Sequence, residues 1–210
     1  MPDPFVVAFV IGVTPSKWAR VWNDRMPQQP LTLRAATAAE AVAGLESGDV
    51  HAAFLRDPAD SASQIRLYEE LPVVVIPKDH ELLAADELVA SDLSGVTVLG
   101  YSDDTAADVV ELVAANVGVS VMPQSVARAT SRKDVEVRPF TGDSTGVSLV
   151  WVEKSPEVDE LIGIVRGRTV NSSRGDTSDE TPVKKLSASQ KAAAKKARAA
   201  AAAAALRKRR

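Results

Sequence analysis

No cysteine occurs among the 210 residues, which removes disulfide frameworks, thiol nucleophiles and thiolate metal sites together. Aromatic residues make up only 4% of the chain, so a core has to be assembled from Val, Leu, Ile and Ala. The two histidines, His51 and His80, show neither a His-x-x-x-His nor a His-Glu spacing, and no metal site is expected. No Gly-x-Ser-x-Gly elbow, phosphate loop or nucleophile–base set is visible. Catalysis is therefore not expected, and no catalytic residue or cofactor is assigned. No apolar run approaches the length of a membrane span. The run at 5–13 follows Asp3 instead of a basic segment and lacks a small-residue cleavage pattern, so no signal peptide is expected. The expectation is a cytoplasmic protein without a membrane partner.

What is present is a chain of ordinary hydrophobic content, 45%, long enough for one large domain or two small lobes. Its net charge of −3 hides a sharp division. Residues 184–210 carry ten Lys and Arg and no acid, leaving 15 basic against 28 acidic residues in the first 183. An acidic body carries a cationic tail.

Residues 6–13 form a nearly unbroken apolar run suited to a strand covered on both faces. It breaks at Thr14-Pro15-Ser16, where Thr14 suits a helix cap and Pro15 the first helical position. Residues 117–122 repeat the plan and end at Pro123-Gln124-Ser125. A strand that stops at a helix N-terminus turns backbone N–H groups toward a cleft, a ready place for a small polar or anionic ligand. Binding is favoured over catalysis.

Elsewhere, Trp18, Val21, Trp22 and Met26 fall at helical spacing, and 31–35 reads as a strand. Thr37 and Glu40 form a capping-box pattern for a helix that stops at Gly48, before a strand at 50–55. Two extended pieces lie in 66–76, a short helix at 88–93 and a strand at 96–99. Residues 105–115 are amphipathic, with Val109, Val110, Leu112 and Val113 inward. Strands at 135–138 and 147–152 and a helix at 156–166 follow. The alternation argues for α/β lobes with mostly parallel sheets. From 171 the composition turns to Ser, Thr, Asp and Gly, a linker.

At this point the residues resemble a family. The pieces FVIGVTPSKWARVWNDRMPQQPLTL, EAVAGLESGDVHAAFLR, LPVVVIPKDHELLAADELVASDLSG and VELVAANVGVSVMPQSVA, in that order, are similar to the effector-binding (substrate-binding) domain of LysR-type transcriptional regulators. RKDVEVRPFT and VSLVWVEKSPEVDELIGIVRG fit its closing part. The resemblance implies a type 2 periplasmic-binding-protein-like fold, two α/β lobes joined by crossover strands with a ligand between them. The domain would span 1–168, with lobe I at about 5–56 and 135–168 and lobe II at about 57–134. A linker at 169–183 and a Lys/Ala-rich tail at 184–210, helical or disordered, would follow. The winged helix-turn-helix and linker helix of such regulators have no counterpart in these 210 residues. His51 stands where the family usually has Asp, Asn116 where it has Gly, and the stretch 101–108 is short.

The resemblance places Thr14, Pro15 and Ser16 where a first-lobe loop meets the effector, with Lys17 adding charge nearby. Pro123, Gln124 and Ser125 occupy the equivalent second-lobe turn. The plainer alternative at each turn is a helix cap. Tyr101 would close over the ligand or sit as a surface turn residue. Arg56, at a strand end near the crossover, would pair with a ligand anion or, the favoured reading, with Asp57 and Asp60. His51 reads as a packed or rim residue. Trp18 and Trp22 fit either a homodimer surface, as in LysR-like domains that pair side by side, or ordinary core packing.

The tail cations are Lys184, Lys185, Lys191, Lys195, Lys196, Arg198, Arg207, Lys208, Arg209 and Arg210, with seven consecutive alanines at 199–205. High helix propensity without an apolar stripe predicts a solvated helix. Cations without anions form an electrostatic footprint for non-specific DNA or RNA contact. An inert tail and one folded back on the acidic body are the alternatives. The leading expectation is a small-molecule effector sensor serving transcription regulation. The second is a nucleic-acid-associated protein acting through its tail.

Overall fold

The computed structural model describes residues 3–59 and 63–167. Strand β1 (Phe5–Phe9) is built from β-branched, aromatic and small residues and is an interior strand of the first lobe's sheet. It pairs in parallel with β2 (Leu31–Ala35) on one side and β3 (Ala52–Arg56) on the other. Helix α1 (Ser16–Arg25) makes the first crossover and α2 (Ala38–Ser47) the second. The expected capping box is formed: the Glu40 N–H donates to Thr37 Oγ1 at 3.1 Å, and the Thr37 N–H donates to Glu40 Oε2 at 2.9 Å. Gly48, at φ 81°, ends α2.

Two later strands complete this sheet. β8 (Thr145–Trp151) runs antiparallel beside β3, and β4 (Ser63–Glu70) runs antiparallel beside β8, giving the order β2-β1-β3-β8-β4. Helix α5 (Pro156–Val165), capped by Ser155 and opened by proline, packs on α1. Trp22 stacks on Phe5 at 4.8 Å between ring centroids, and Trp18 stacks on Phe54 at 4.9 Å. Both tryptophans are buried in the first lobe, which decides for core packing.

The second sheet is smaller. β5 (Pro72–Pro77) lies between β6 (Ser120–Pro123) and β7 (Val135–Pro139), antiparallel to both. Its unbroken Val-Val-Val-Ile run is buried on both faces. Val73 and Val75 meet α3 (Ala106–Ala114) and α4 (Gln124–Ala129), while Val74 and Ile76 meet Leu88 and Val119. The chain crosses between the sheets twice, at Leu71 and through residues 140–144.

Several sequence expectations are corrected. The sheets are not mostly parallel: only the two β1 pairs are, because strands next to a crossover reverse direction as they enter and leave a lobe. Pairing puts 63–70 in the first sheet and 135–139 in the second, the reverse of the expected division at 57 and 135. β1 stops at Phe9, since residues 10–13 make a turn in which the Val13 N–H donates to Val10 O and Gly12 adopts φ 81°. β6 starts at Ser120, leaving Val117 exposed, and Leu112 is also exposed. Residues 96–99 contribute only the Val98–Val119 bridge, and the helix at 88–93 is one 3₁₀ turn, Ala90–Leu93. The Gly-like demand at Asn116 is real: its φ is 58°, a region that Asn tolerates. The linker and the tail lie outside the described residues.

Candidate functional site: an arginine that spans the two sheets

Arg56 is the last residue of β3, and its side chain leaves the first lobe for the second. Its Nε–H donates to Glu70 Oε2 at 2.7 Å, Nη1–H to Asp103 Oδ2 at 2.9 Å, and Nη2–H to Ser125 Oγ at 2.9 Å. The Arg56 side chain is only 6% exposed, Glu70 7% and Asp103 13%. Glu70 ends β4 at the first crossover and fixes the guanidinium to the first lobe. Asp103, in the turn before α3, and Ser125, in the first turn of α4, belong to the second. One guanidinium thus ties the lobes together beside a crossover.

The backbone closes in at the same place. A Cβ at Gly12 would lie 2.8 Å from the Ser125 carbonyl carbon and 2.8 Å from its Oγ, so the turn after β1 touches the start of α4 directly. Ile11, from that turn, packs on the second lobe's core together with Tyr101. The Gln124 N–H, expected to face a ligand, donates to Leu71 O at 3.0 Å. No buried side-chain nitrogen or oxygen among the described residues lacks a partner. The closed gap satisfies itself.

Two carboxylates share one guanidinium, and the charges respond unequally. Burial alone would pull Arg56 down, but the bonds and charges of Glu70 and Asp103 outweigh it and hold its pKa above the usual value. For Asp103 burial dominates over the attraction of Arg56, with Glu70 and Asp104 repelling, and its pKa is raised. Burial, followed by the Asp103 charge, pushes Tyr101 up to about 12.

The predicted site residues divide accordingly. Arg56 and Ser125 meet; Tyr101 lies half-buried on the second core instead of as a lid. Arg56 does not pair with Asp57. The Asp57 carboxylate instead accepts the Gly146 N–H at 2.9 Å, and Asp60 is outside the described residues. Thr14 is exposed and does not cap α1, whose N-cap is the buried Pro15, with Ser16 as first helical residue. Pro123 is the buried N-cap of α4, and Gln124 is exposed. His51 is a rim residue, its Nδ1 accepting the Val6 N–H at 3.0 Å. Glu70, Asp103 and Gly12 were missed. A pair of acids, Glu69 and Glu70, closing a mixed polar strand, and acids in the Ser102–Thr105 turn, are their only sequence signals.

A cavity of about 940 Å³ opens on the first lobe beside α2, lined by Val42, Leu45, Leu55, Val150 and Val152 and bordered by Arg56. Another of about 410 Å³, bordered by Gln124, lies within the second lobe. Neither has Thr14, Ser16 or Ser125 in its wall. No group of three or more His, Asp or Glu suited to a metal ion occurs among the described residues.

Two α/β lobes joined by two crossovers, with polar side chains from each meeting at the junction, define a periplasmic-binding-protein-like fold. The family model for the LysR substrate binding domain matches residues 16–108. Its fold is similar to that of the OxyR regulatory domain from Pseudomonas aeruginosa, solved as a cysteine-to-aspartate mutant. That pair shares 21% identity at a TM-score of 0.63, covering 79% of this chain and 96% of the other. The effector binding domain of a BenM variant matches at 17% identity and a TM-score of 0.65, covering 79% of this chain and 94% of that one. Against full-length OxyR from Pseudomonas aeruginosa, at 20% identity and a TM-score of 0.62, 78% of this chain covers 65% of that chain. No curated protein sequence matches the chain. Among the described residues, no helix is long and apolar enough to cross a membrane.

Proposed function

We propose that this chain binds a small-molecule effector between its two sheets, in the cytoplasm and in the service of transcription regulation, and that it is not an enzyme. One observation carries the reading: Arg56 belongs to the first lobe but spends two of its donors on Asp103 and Ser125 of the second. A ligand shifts a two-lobed equilibrium only through contacts that differ between open and closed forms, and bonds that cross the junction differ in that way. The LysR resemblance supports the same reading and suggests a homodimer. A Corynebacterium glutamicum OxyR in the same fold is described as H2O2-bound. With no cysteine here, thiol oxidation is not the chemistry of this chain.

The test is a thermal-shift screen of aromatic acids, amino acids and sugar phosphates. A ligand at 100 times its Kd adds about 2.7 kcal/mol to the folded state, a shift of several degrees. Arg56→Gln and Ser125→Ala should lose that shift. Ligands that act equally on both variants would contradict the site.

A second reading is supported by the ten cations of residues 184–210, unbalanced by any acid. In it the tail contacts DNA or RNA phosphates without sequence preference. Removal of 184–210 should then abolish DNA retention at low salt, and retention by the truncated chain would end this reading.

A further inference from the structure

Arg56 has the makings of an anion receptor, and its occupant is part of the chain. The guanidinium is more than nine-tenths buried, and its Nη1 is taken by the Asp103 carboxylate. Asp103 sits in a turn whose other bonds run within it and onto α3, where the Val109 N–H donates to Thr105 O at 2.9 Å. The Ser102 N–H donates to Thr105 Oγ1 at 2.9 Å, and the Thr105 N–H donates to Ser102 O at 3.1 Å. Ser102 and Asp104, on either side of Asp103, are exposed. The Asp103 side chain, flanked by exposed residues, can therefore rotate outward, with the bond to Arg56 as the contact it gives up. Glu70, by contrast, ends a paired strand and stays with the first lobe.

We propose that Asp103 is a built-in stand-in for the ligand, and that a small monocarboxylate enters by taking its place on Arg56. The proposal rests on the effector reading above and adds the ligand's class and its mode of entry. Charge selects the valence. One guanidinium already faces Glu70, so a monoanion in place of Asp103 leaves the local balance unchanged, whereas a dianion or a phosphate adds unpaired charge. A bidentate carboxylate also matches the planar fork of the guanidinium. Burial raises the Asp103 pKa despite Arg56, so the resident anion is held at a cost that favours its exchange.

The test is chemical rescue. Asp103→Ala, and separately Asp103→Ser as a turn-compatible replacement, should melt several degrees below the wild type. Acetate or formate should restore most of that loss with saturable dose dependence, whereas chloride at equal ionic strength should not. Succinate and phosphate should rescue less than acetate. Arg56→Gln combined with either Asp103 variant should show no rescue. In the wild type, the Arg56 Nε–H resonance should respond to acetate only at far higher concentration. Equal shifts from acetate and chloride, or acetate rescue that survives Arg56→Gln, would overturn the proposal. An effector found for the wild type without rescue of the variants would sink the exchange mechanism alone. Rescue with no wild-type effector from any class would sink the sensor reading and leave Arg56 as a carboxylate receptor.

Discussion

The two lobes are built from different materials. The first has five strands and pins its central strands with stacked rings, Phe5 on Trp22 and Phe54 on Trp18. The Trp22 indole N–H also donates to Gln29 O at 2.9 Å. The second has three strands and, among the described residues, no buried aromatic ring; Val, Ile and Ala, with Leu88 and Met122, fill its two small clusters. Burial scales with side-chain size, so the first lobe is the stable half and the second the one with less to lose. The charged tie follows the same asymmetry. Glu70 makes Arg56 a fixture of the first lobe, and the second lobe is the side that holds on or lets go.

Trp22→Ala should break this contrast most severely. Deleting a fully buried, stacked indole costs about 4 kcal/mol, whereas Met122→Ala in the smaller core should cost about 2 kcal/mol. Urea unfolding of the two variants measures the difference. Equal losses would mean that the lobes contribute alike.

A smaller effect separates the lobes by pH. The raised pKa of Asp103 means that the folded state holds its proton more tightly than the unfolded state. Its contribution is fully present below the ordinary value and is lost as pH rises through the raised one. Asp103→Asn, which keeps an acceptor for Arg56 but sheds the charge, should therefore melt at or above the wild type at neutral pH. That margin should shrink as the solution is acidified. A margin that grows on acidification would reverse the sign assigned to this carboxylate.

The smallest effect is spectroscopic. Tyr101, with its pKa pushed up to about 12, should ionise well after Tyr68, whose own shift is also upward but smaller. Folded stability tied to Tyr101 is present below pH 10 and fades as pH climbs toward 12. Ultraviolet titration of the wild type against Tyr101→Phe reads this directly. Loss of the earlier phenol in that variant would place Tyr101 in the wrong environment.

What the sequence made legible was local. Thr37 with Glu40, Gly48, the helix opening at Pro156, and the β5 run each carry their cause within a few residues, and each was read correctly. The junction was not legible for the same reason. Arg56 was matched to the acids nearest in sequence, yet its partners lie 14, 47 and 69 residues away, brought together only by the crossovers. Asp57 was unavailable because its φ of 34° turns its carboxylate onto the Gly146 N–H. The strand leading into each crossover, β4 and β7, was assigned to the wrong lobe, since a strand's own pattern does not say which sheet it joins. Thr14 failed as a cap because Pro15 itself takes the N-cap position.

The most direct test is a double-mutant cycle between Arg56 and Asp103, with Arg56→Gln, Asp103→Ala and the pair compared by urea unfolding. A tie of 2.9 Å across the junction predicts a coupling of about 1–3 kcal/mol, with the double variant losing clearly less than the two single losses added together. Strict additivity of the single losses would mean that the two side chains do not join the lobes, and the account of the junction would fail with it.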